Sequence, residues 1–204
     1  MSSVPTTPLR FYLIRHGESQ WQAKATADRD SELTDLGHEQ AKHVCDRTKR
    51  MIRENGRPYE VISSPLRRSI QTVDKLGMPY AVMSGAREAP FDIKRCLPRF
   101  ETPAIYPRKV GDEPRYASFR DDLAQMLHGL IETHRSSGKD IYLFCHGGVI
   151  KTALRIVHDN DAICYKIANG SVSSLCWTLS RWHIESVNDV RHIPIHLLTD
   201  SDGA

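Results

Sequence analysis

Along the chain, short apolar runs alternate with stretches in which apolar residues recur every three or four positions. Leu9 to Ile14 (LRFYLI) is an unbroken aromatic and aliphatic run that stops at Arg15-His16-Gly17, which predicts a buried strand ending in a sharp turn. Over 34–55, Ala41, Val44, Thr48, Met51 and Ile52 share one face, Thr34 fits an N-cap, and Asn55-Gly56 followed by Pro58 ends the predicted helix. Val61-Ile62-Ser63-Ser64 predicts a second strand, with Pro65 opening a helix that runs to Leu76. Gly77 and Pro79 mark a turn, and Tyr80 to Met83 a third strand.

The stretch 84–116 carries five prolines and little periodicity, so it reads as an irregular substrate-side insertion. Helical spacing resumes over 117–135 through Leu123, Leu127, Leu130, Ile131 and His134. Ile141 to Cys145 predicts a buried strand that stops at His146-Gly147-Gly148, with a helix from Val149 to Val157 behind it. Two final strands are expected over 172–179 and 182–187, with Ser180-Arg181 as a tight connection, and residues 1–8 and 190–204 read as tails. Strands alternating with helices predict one α/β domain over 1–204, with a mainly parallel central sheet and helices on both faces. In such sheets ligands bind beyond the carboxyl ends of the strands, so the two His-Gly segments should face one crevice.

Composition narrows the function. Of 204 residues, 40% are hydrophobic and 26% charged, an ordinary globular balance that argues against disorder. The net charge of +3 is too small to imply nucleic acid. No apolar run approaches the ~20 residues of a membrane-spanning helix, and MSSVPTTPLR lacks the apolar core of a secretory signal. Five scattered cysteines without a C-x-x-C predict no disulfide framework and a cytoplasmic protein.

The chemistry concentrates in a few segments. Arg15 is a permanent cation beside His16 that can bind phosphate bidentately and, by charge repulsion, favours the neutral imidazole. Glu32-Leu33-Thr34-Asp35-Leu36-Gly37-His38-Glu39-Gln40-Ala41 follows, then Ser63-Ser64-Pro65-Leu66-Arg67-Arg68-Ser69-Ile70-Gln71-Thr72, then Cys145-His146-Gly147-Gly148. With Arg15-His16-Gly17-Glu18, these segments resemble, in order and spacing over roughly 9–187, the histidine phosphatase superfamily, the group that includes cofactor-dependent phosphoglycerate mutase.

That resemblance implies a three-layer α/β/α sandwich and assigns roles. His16 matches the nucleophile that becomes phosphohistidine, and Arg15 the first phosphate-binding arginine. Ser64, Leu66, Arg68 and Thr72 fit the pattern S-x-L-x-R-x-x-x-T, which makes Arg68 the second. His146 matches the histidine that contacts the phosphoryl oxygens, with Gly147 behind it. Glu88 is the counterpart of the acid that protonates the leaving group, with Asp92 as its rival, because the Trp-Glu-Gly of many members is replaced by Ala89-Pro90-Phe91. Gln22 stands where the family often has a phosphate-contacting Asn.

The activity implied is a metal-independent phosphatase, without a cofactor, acting on a small phosphomonoester or a phosphoprotein. A phosphoglycerate mutase-type phosphotransferase is the alternative, made less favourable by the missing mutase signature after Glu88. A non-catalytic phosphate-binding module is a further alternative. Cys145 to Lys151 superficially resembles the C-x5-R loop of cysteine-dependent phosphatases, but with Lys where Arg should grip phosphate. No H-E-x-x-H occurs, and His192 and His196 flank Pro194 instead of sharing a helix face, so a metal centre is not expected. Basic residues from Arg87 to Arg115, Arg95 among them, are candidates for a wall that meets a second anionic group.

Overall fold

The structure, a computed structural model, describes residues 8–90, 93 and 114–199. These form β1 (Leu9–Arg15), α1 (Asp35–Asn55), β2 (Tyr59–Ser63), α2 (Arg67–Asp74), β3 (Ala81–Val82), α3 (Pro114–His134), β4 (Asp140–Cys145), α4 (Gly147–His158), β5 (Val172–Thr178) and β6 (Arg181–Asp189). The strands make one six-stranded sheet in the order β3-β2-β4-β1-β5-β6. The four strands from β3 to β1 run parallel. The hairpin β5-β6 adds antiparallel to β1.

Strand alternation splits the core between two faces. Phe11, Leu13, Ile62, Ile141, Leu143 and Leu175 pack with Leu123, Leu127 and Ile131 of α3 and Val149, Ile150 and Leu154 of α4. Tyr12, Ile14, Val61, Tyr142 and Phe144 point the other way, onto Val44, Cys45 and Ile52 of α1 and Val73 of α2. The result is a three-layer α/β/α sandwich around a mainly parallel sheet. Each fully buried Leu or Ile contributes about 1.5–3 kcal/mol of transfer free energy.

Register places the chemistry. Arg15 pairs with Cys145 and Ser63 with Phe144. Hence His16, His146 and Ser64 leave three adjacent strands at one level. The His16 amide then donates to the Cys145 carbonyl at 3.1 Å and the Ser64 amide to the Phe144 carbonyl at 2.9 Å.

The caps follow local chemistry. Thr34 Oγ1 accepts from the Gly37 amide at 2.9 Å to open α1, and Gly56 closes it in the left-handed region at φ 59°. At the far end of the sheet, the Asn55 amide donates to Tyr12, Tyr142 and Asp140, fastening the end of α1 to β1 and β4.

Some expectations are corrected. Pro65 does not open α2: the Leu66 backbone is still extended, its amide donates to Ser64 Oγ, and the helix starts at Arg67. Helix α3 begins at Pro114, inside the stretch expected to be irregular, because proline suits a first helical turn. Helix α4 begins at Gly147, directly after His146 as its N-cap. The last hairpin turns on Leu179 and Ser180, at φ 50° and 60°, while Arg181 already pairs with Thr178. Residues 190–199, expected as a surface tail, fold back: Ile193 is buried, and the Leu197 carbonyl accepts from Gln40 Nε2 at 2.7 Å. No helix among the described residues is long and apolar enough to cross a membrane.

Candidate active site

Four side chains named from the sequence converge beyond the carboxyl end of the sheet. His16 and His146 face each other with ring centroids 5.0 Å apart and planes at 59°. Arg68, on the first turn of α2, donates from Nε to His16 Nε2 at 3.0 Å. Arg15 lies alongside, its guanidinium carbon 3.4 Å from where a Gly147 Cβ would stand. All four are buried, with His146 at 0% and His16 at 2% relative exposure. Arg15 thus packs against the start of α4.

The protonation of His16 follows from its partners. A carbonyl can only accept, so the 2.5 Å contact between His16 Nδ1 and the Gly17 carbonyl puts the proton on Nδ1. A guanidinium can only donate, so Nε2 carries the lone pair that receives Arg68. The ring is held neutral as well: burial above all, then the charges of Arg68, His146 and Arg15, push its pKa well below the ordinary histidine value. A neutral imidazole with Nε2 available as a lone pair is the nucleophilic form.

Further donors border the site. His146 Nε2 lies 2.7 Å from Ser64 Oγ. Glu88 Oε1 accepts from the Gly148 amide at 3.0 Å and from its neighbour Ala89 at 3.0 Å. The carboxylate thus sits on the N-terminal turn of α4, where the helix dipole favours negative charge. This occupies the Gly148 amide. A Cβ at Gly148 would lie 2.3 Å from Glu88 Oε1, so any larger residue there would displace the carboxylate. Gln22 approaches from the loop after β1, its Oε1 accepting from the Ser19 amide at 3.0 Å.

The sequence reading passed over several supporting residues. Thr72 Oγ1 accepts from the Gly17 amide at 3.2 Å and donates to the Arg68 carbonyl at 2.7 Å, which links the loop after β1 to α2. Ser64 and Thr72 were visible as pattern positions but without a role. Gly17 and Gly37 touch backbone to backbone: a Gly17 Cβ would meet the Gly37 carbonyl oxygen at 2.2 Å. Asn169 donates to the His16 carbonyl at 3.1 Å, and no periodic pattern pointed to it. Asp92, Arg95 and the other basic residues between 94 and 113 lie outside the described residues; Arg87 and Arg115 are exposed.

The competing chemistries find little support in the geometry. Cys145 is completely buried between β1 and α4, and burial pushes its thiol far above the ordinary range, so a thiolate nucleophile is disfavoured there. His192 donates from Nε2 to the Gly170 carbonyl at 2.9 Å.

The chain is similar to known proteins over most of its length. The model of the histidine phosphatase superfamily (branch 1) matches residues 11–190. The 6-phosphofructo-2-kinase/fructose-2,6-bisphosphatase 4 of Rattus norvegicus is 27% identical over 171 residues, which cover 79% of this chain and 35% of that protein. The chain therefore spans about a third of the length of such relatives. Among solved structures, phosphoglycerate mutase from Bacillus anthracis superposes with a TM-score of 0.73 at 16% identity, over 93% of this chain and 96% of the other. Phosphoserine phosphatase from Entamoeba histolytica, in complex with 3-phosphoglyceric acid, gives 0.69 at 21% identity, over 91% and 100%. These likenesses show the shared fold.

Proposed function

Because the chain belongs to the histidine phosphatase superfamily (branch 1), we propose that it hydrolyses a phosphomonoester through a phosphohistidine formed on Nε2 of His16. The observation that carries the reading is the His16 ring itself: neutral, protonated on Nδ1, and presenting Nε2 among two guanidinium groups and a second imidazole.

The reaction runs in two displacements. The phosphoryl group docks against Arg15, Arg68 and His146, whose donors replace its water and gather the charge that grows on its three peripheral oxygens. Arg68 moves its Nε–H from His16 to a phosphoryl oxygen, which releases the Nε2 lone pair. Nε2 attacks phosphorus, the P–O bond to the leaving group breaks, and Glu88, which enters this step protonated, gives that oxygen its proton and is left ionised. Water then attacks the phosphohistidine, Glu88 takes a proton from it, the P–N bond breaks, and inorganic phosphate leaves. Gln22 and the start of α4 at Gly147 border the phosphoryl group. The countercharge comes from the arginines, so the cycle uses no metal or cofactor.

A phosphoglycerate mutase-type phosphotransferase would share the first displacement and differ in what accepts the phosphoryl group. The sequence after Glu88, without the mutase signature, favours water. A small-molecule phosphomonoester is the substrate class proposed, with a phosphoprotein as the wider possibility. The four described cysteines are free, as a cytoplasmic enzyme would have them.

A screen of phosphomonoesters with and without a chelator tests the reading. Phosphate release that survives chelation and disappears in His16→Ala supports it. Release that needs a metal, or that persists in His16→Ala, overturns it.

A further inference from the structure

A second group of side chains, behind the reacting atoms, controls how the nucleophile is aimed. Asn169 is completely buried in the turn between α4 and β5. Its orientation is fixed by chemistry: the His16 carbonyl can only accept, so the atom facing it at 3.1 Å is Nδ2. The same Nδ2 donates to Gln22 Oε1 at 3.2 Å. That oxygen is also fixed, because the Ser19 backbone amide donates to it. Asn169 Oδ1 accepts from Thr199 Oγ1 at 3.3 Å.

The next residue completes the grip. The Gly170 amide donates to the carbonyls of Arg15 at 3.1 Å and His16 at 3.2 Å. The His16 carbonyl thus takes both its bonds from one turn. That turn is itself anchored. The Ala168 amide donates to Asn188 Oδ1 at 2.7 Å, His192 holds the Gly170 carbonyl, and a Gly170 Cβ would lie 2.8 Å from the Ile193 side chain. The peptide that fixes the direction of the His16 Cα–Cβ bond is therefore clamped by the turn that leads into β5, the strand paired with β1.

We propose that Asn169 is a positioning residue for the nucleophile: its carboxamide holds the His16 carbonyl and Gln22 in one geometry, and Thr199 of the refolded C-terminal segment holds the carboxamide. The proposal rests on His16 as the nucleophile. Misplacing a reacting atom by about 1 Å costs on the order of 100-fold in rate, while Arg15, Arg68 and His146, which carry most of the phosphate binding, are held by other partners, the carbonyls of Ile167 and Arg29 and the Ser64 hydroxyl. Loss of Asn169 should therefore lower turnover far more than affinity for phosphate.

The test uses para-nitrophenyl phosphate as substrate and inorganic phosphate as competitive inhibitor. In N169A, kcat should fall about 10–100-fold while the inhibition constant for phosphate changes less than about threefold. N169D, equal in size but without the N–H donors, should match it and carries the test if N169A does not fold. T199V, which removes one bond to Oδ1 and leaves both donations intact, should fall between these variants and the wild type in kcat. Either Asn169 variant within about twofold of wild-type kcat, or losing phosphate affinity in parallel with kcat, overturns the proposal. Wild-type protein that forms no phosphohistidine would instead sink the underlying reading of His16, so the two failures are distinguishable.

Discussion

Arg68 covers the free nitrogen of His16: its Nε sits 3.0 Å from Nε2, on the lone pair that the proposed attack on phosphorus would use. This bond fixes the ring and its tautomer. In the proposed reaction the same N–H would find a better acceptor in an anionic phosphoryl oxygen, so substrate binding would uncover the lone pair. One guanidinium would then both protect the lone pair and stabilise the transferring group.

Replacing Arg68 by Gln should therefore affect two observables. Loss of a charged donor at the transferring group should cut kcat/KM by about 10²–10³-fold. Loss of a cation beside His16 should also move the acid limb of the kcat/KM profile to higher pH, because Arg68 is the largest electrostatic cause of the lowered His16 pKa, second to burial. A full pH–rate profile of both proteins measures each effect.

The His16 pKa also enters stability. The folded value lies well below 6.5. The unfolded chain thus binds a proton at this position that the folded protein refuses. The contribution is fully present above the unfolded pKa of about 6.5 and is lost as pH falls toward the folded value. Urea unfolding of wild type and His16→Gln at neutral pH and pH 5 should show a smaller acid loss in the variant. Imidazole nitrogen NMR at neutral pH should show His16 protonated on Nδ1 alone.

Much of this was legible from residues. The run from Leu9 to Ile14 and that from Ile141 to Cys145 marked the central strands, and the two histidines behind them pointed to one crevice. Their meeting depends on register, Arg15 against Cys145, which parallel pairing of two central strands supplies. Polar scaffolding was less visible. Asn169 and Thr199 lie in irregular backbone, where hydrogen bonds replace hydrophobic periodicity and leave no repeating trace. The segment 190–199 read as a tail for the same reason: few side chains anchor it, and Gln40, from a helix face expected to be apolar, is one of its partners.

Gly148 links the start of α4 to Glu88, the proposed proton donor. Alanine there would push its Cβ into Glu88 Oε1, 2.3 Å away, and displace the carboxylate. Activity should fall most on substrates with poor leaving groups, which need the proton. Glu88→Gln should show the same selectivity: a loss of about 10²–10⁴-fold on alkyl phosphates and a much smaller one on para-nitrophenyl phosphate. Comparing kcat across a leaving-group series checks both variants.

Gly17→Ala is expected to damage the fold as well as the site. Its Cβ would strike the Gly37 carbonyl oxygen at 2.2 Å, backbone against backbone, where no rotamer can relieve the clash. A loss of about 1–3 kcal/mol is expected from such overpacking, read as a lower urea midpoint with an unchanged slope.

The most direct measurement is trapping the covalent intermediate. Protein mixed with a phosphomonoester and denatured in alkali within milliseconds, then digested and analysed by mass spectrometry, should carry phosphate on His16, in a form stable to base and labile to acid. His16→Ala should carry none. Phosphate on another residue, or an active wild-type enzyme that leaves His16 unmodified at every quench time, would contradict the account.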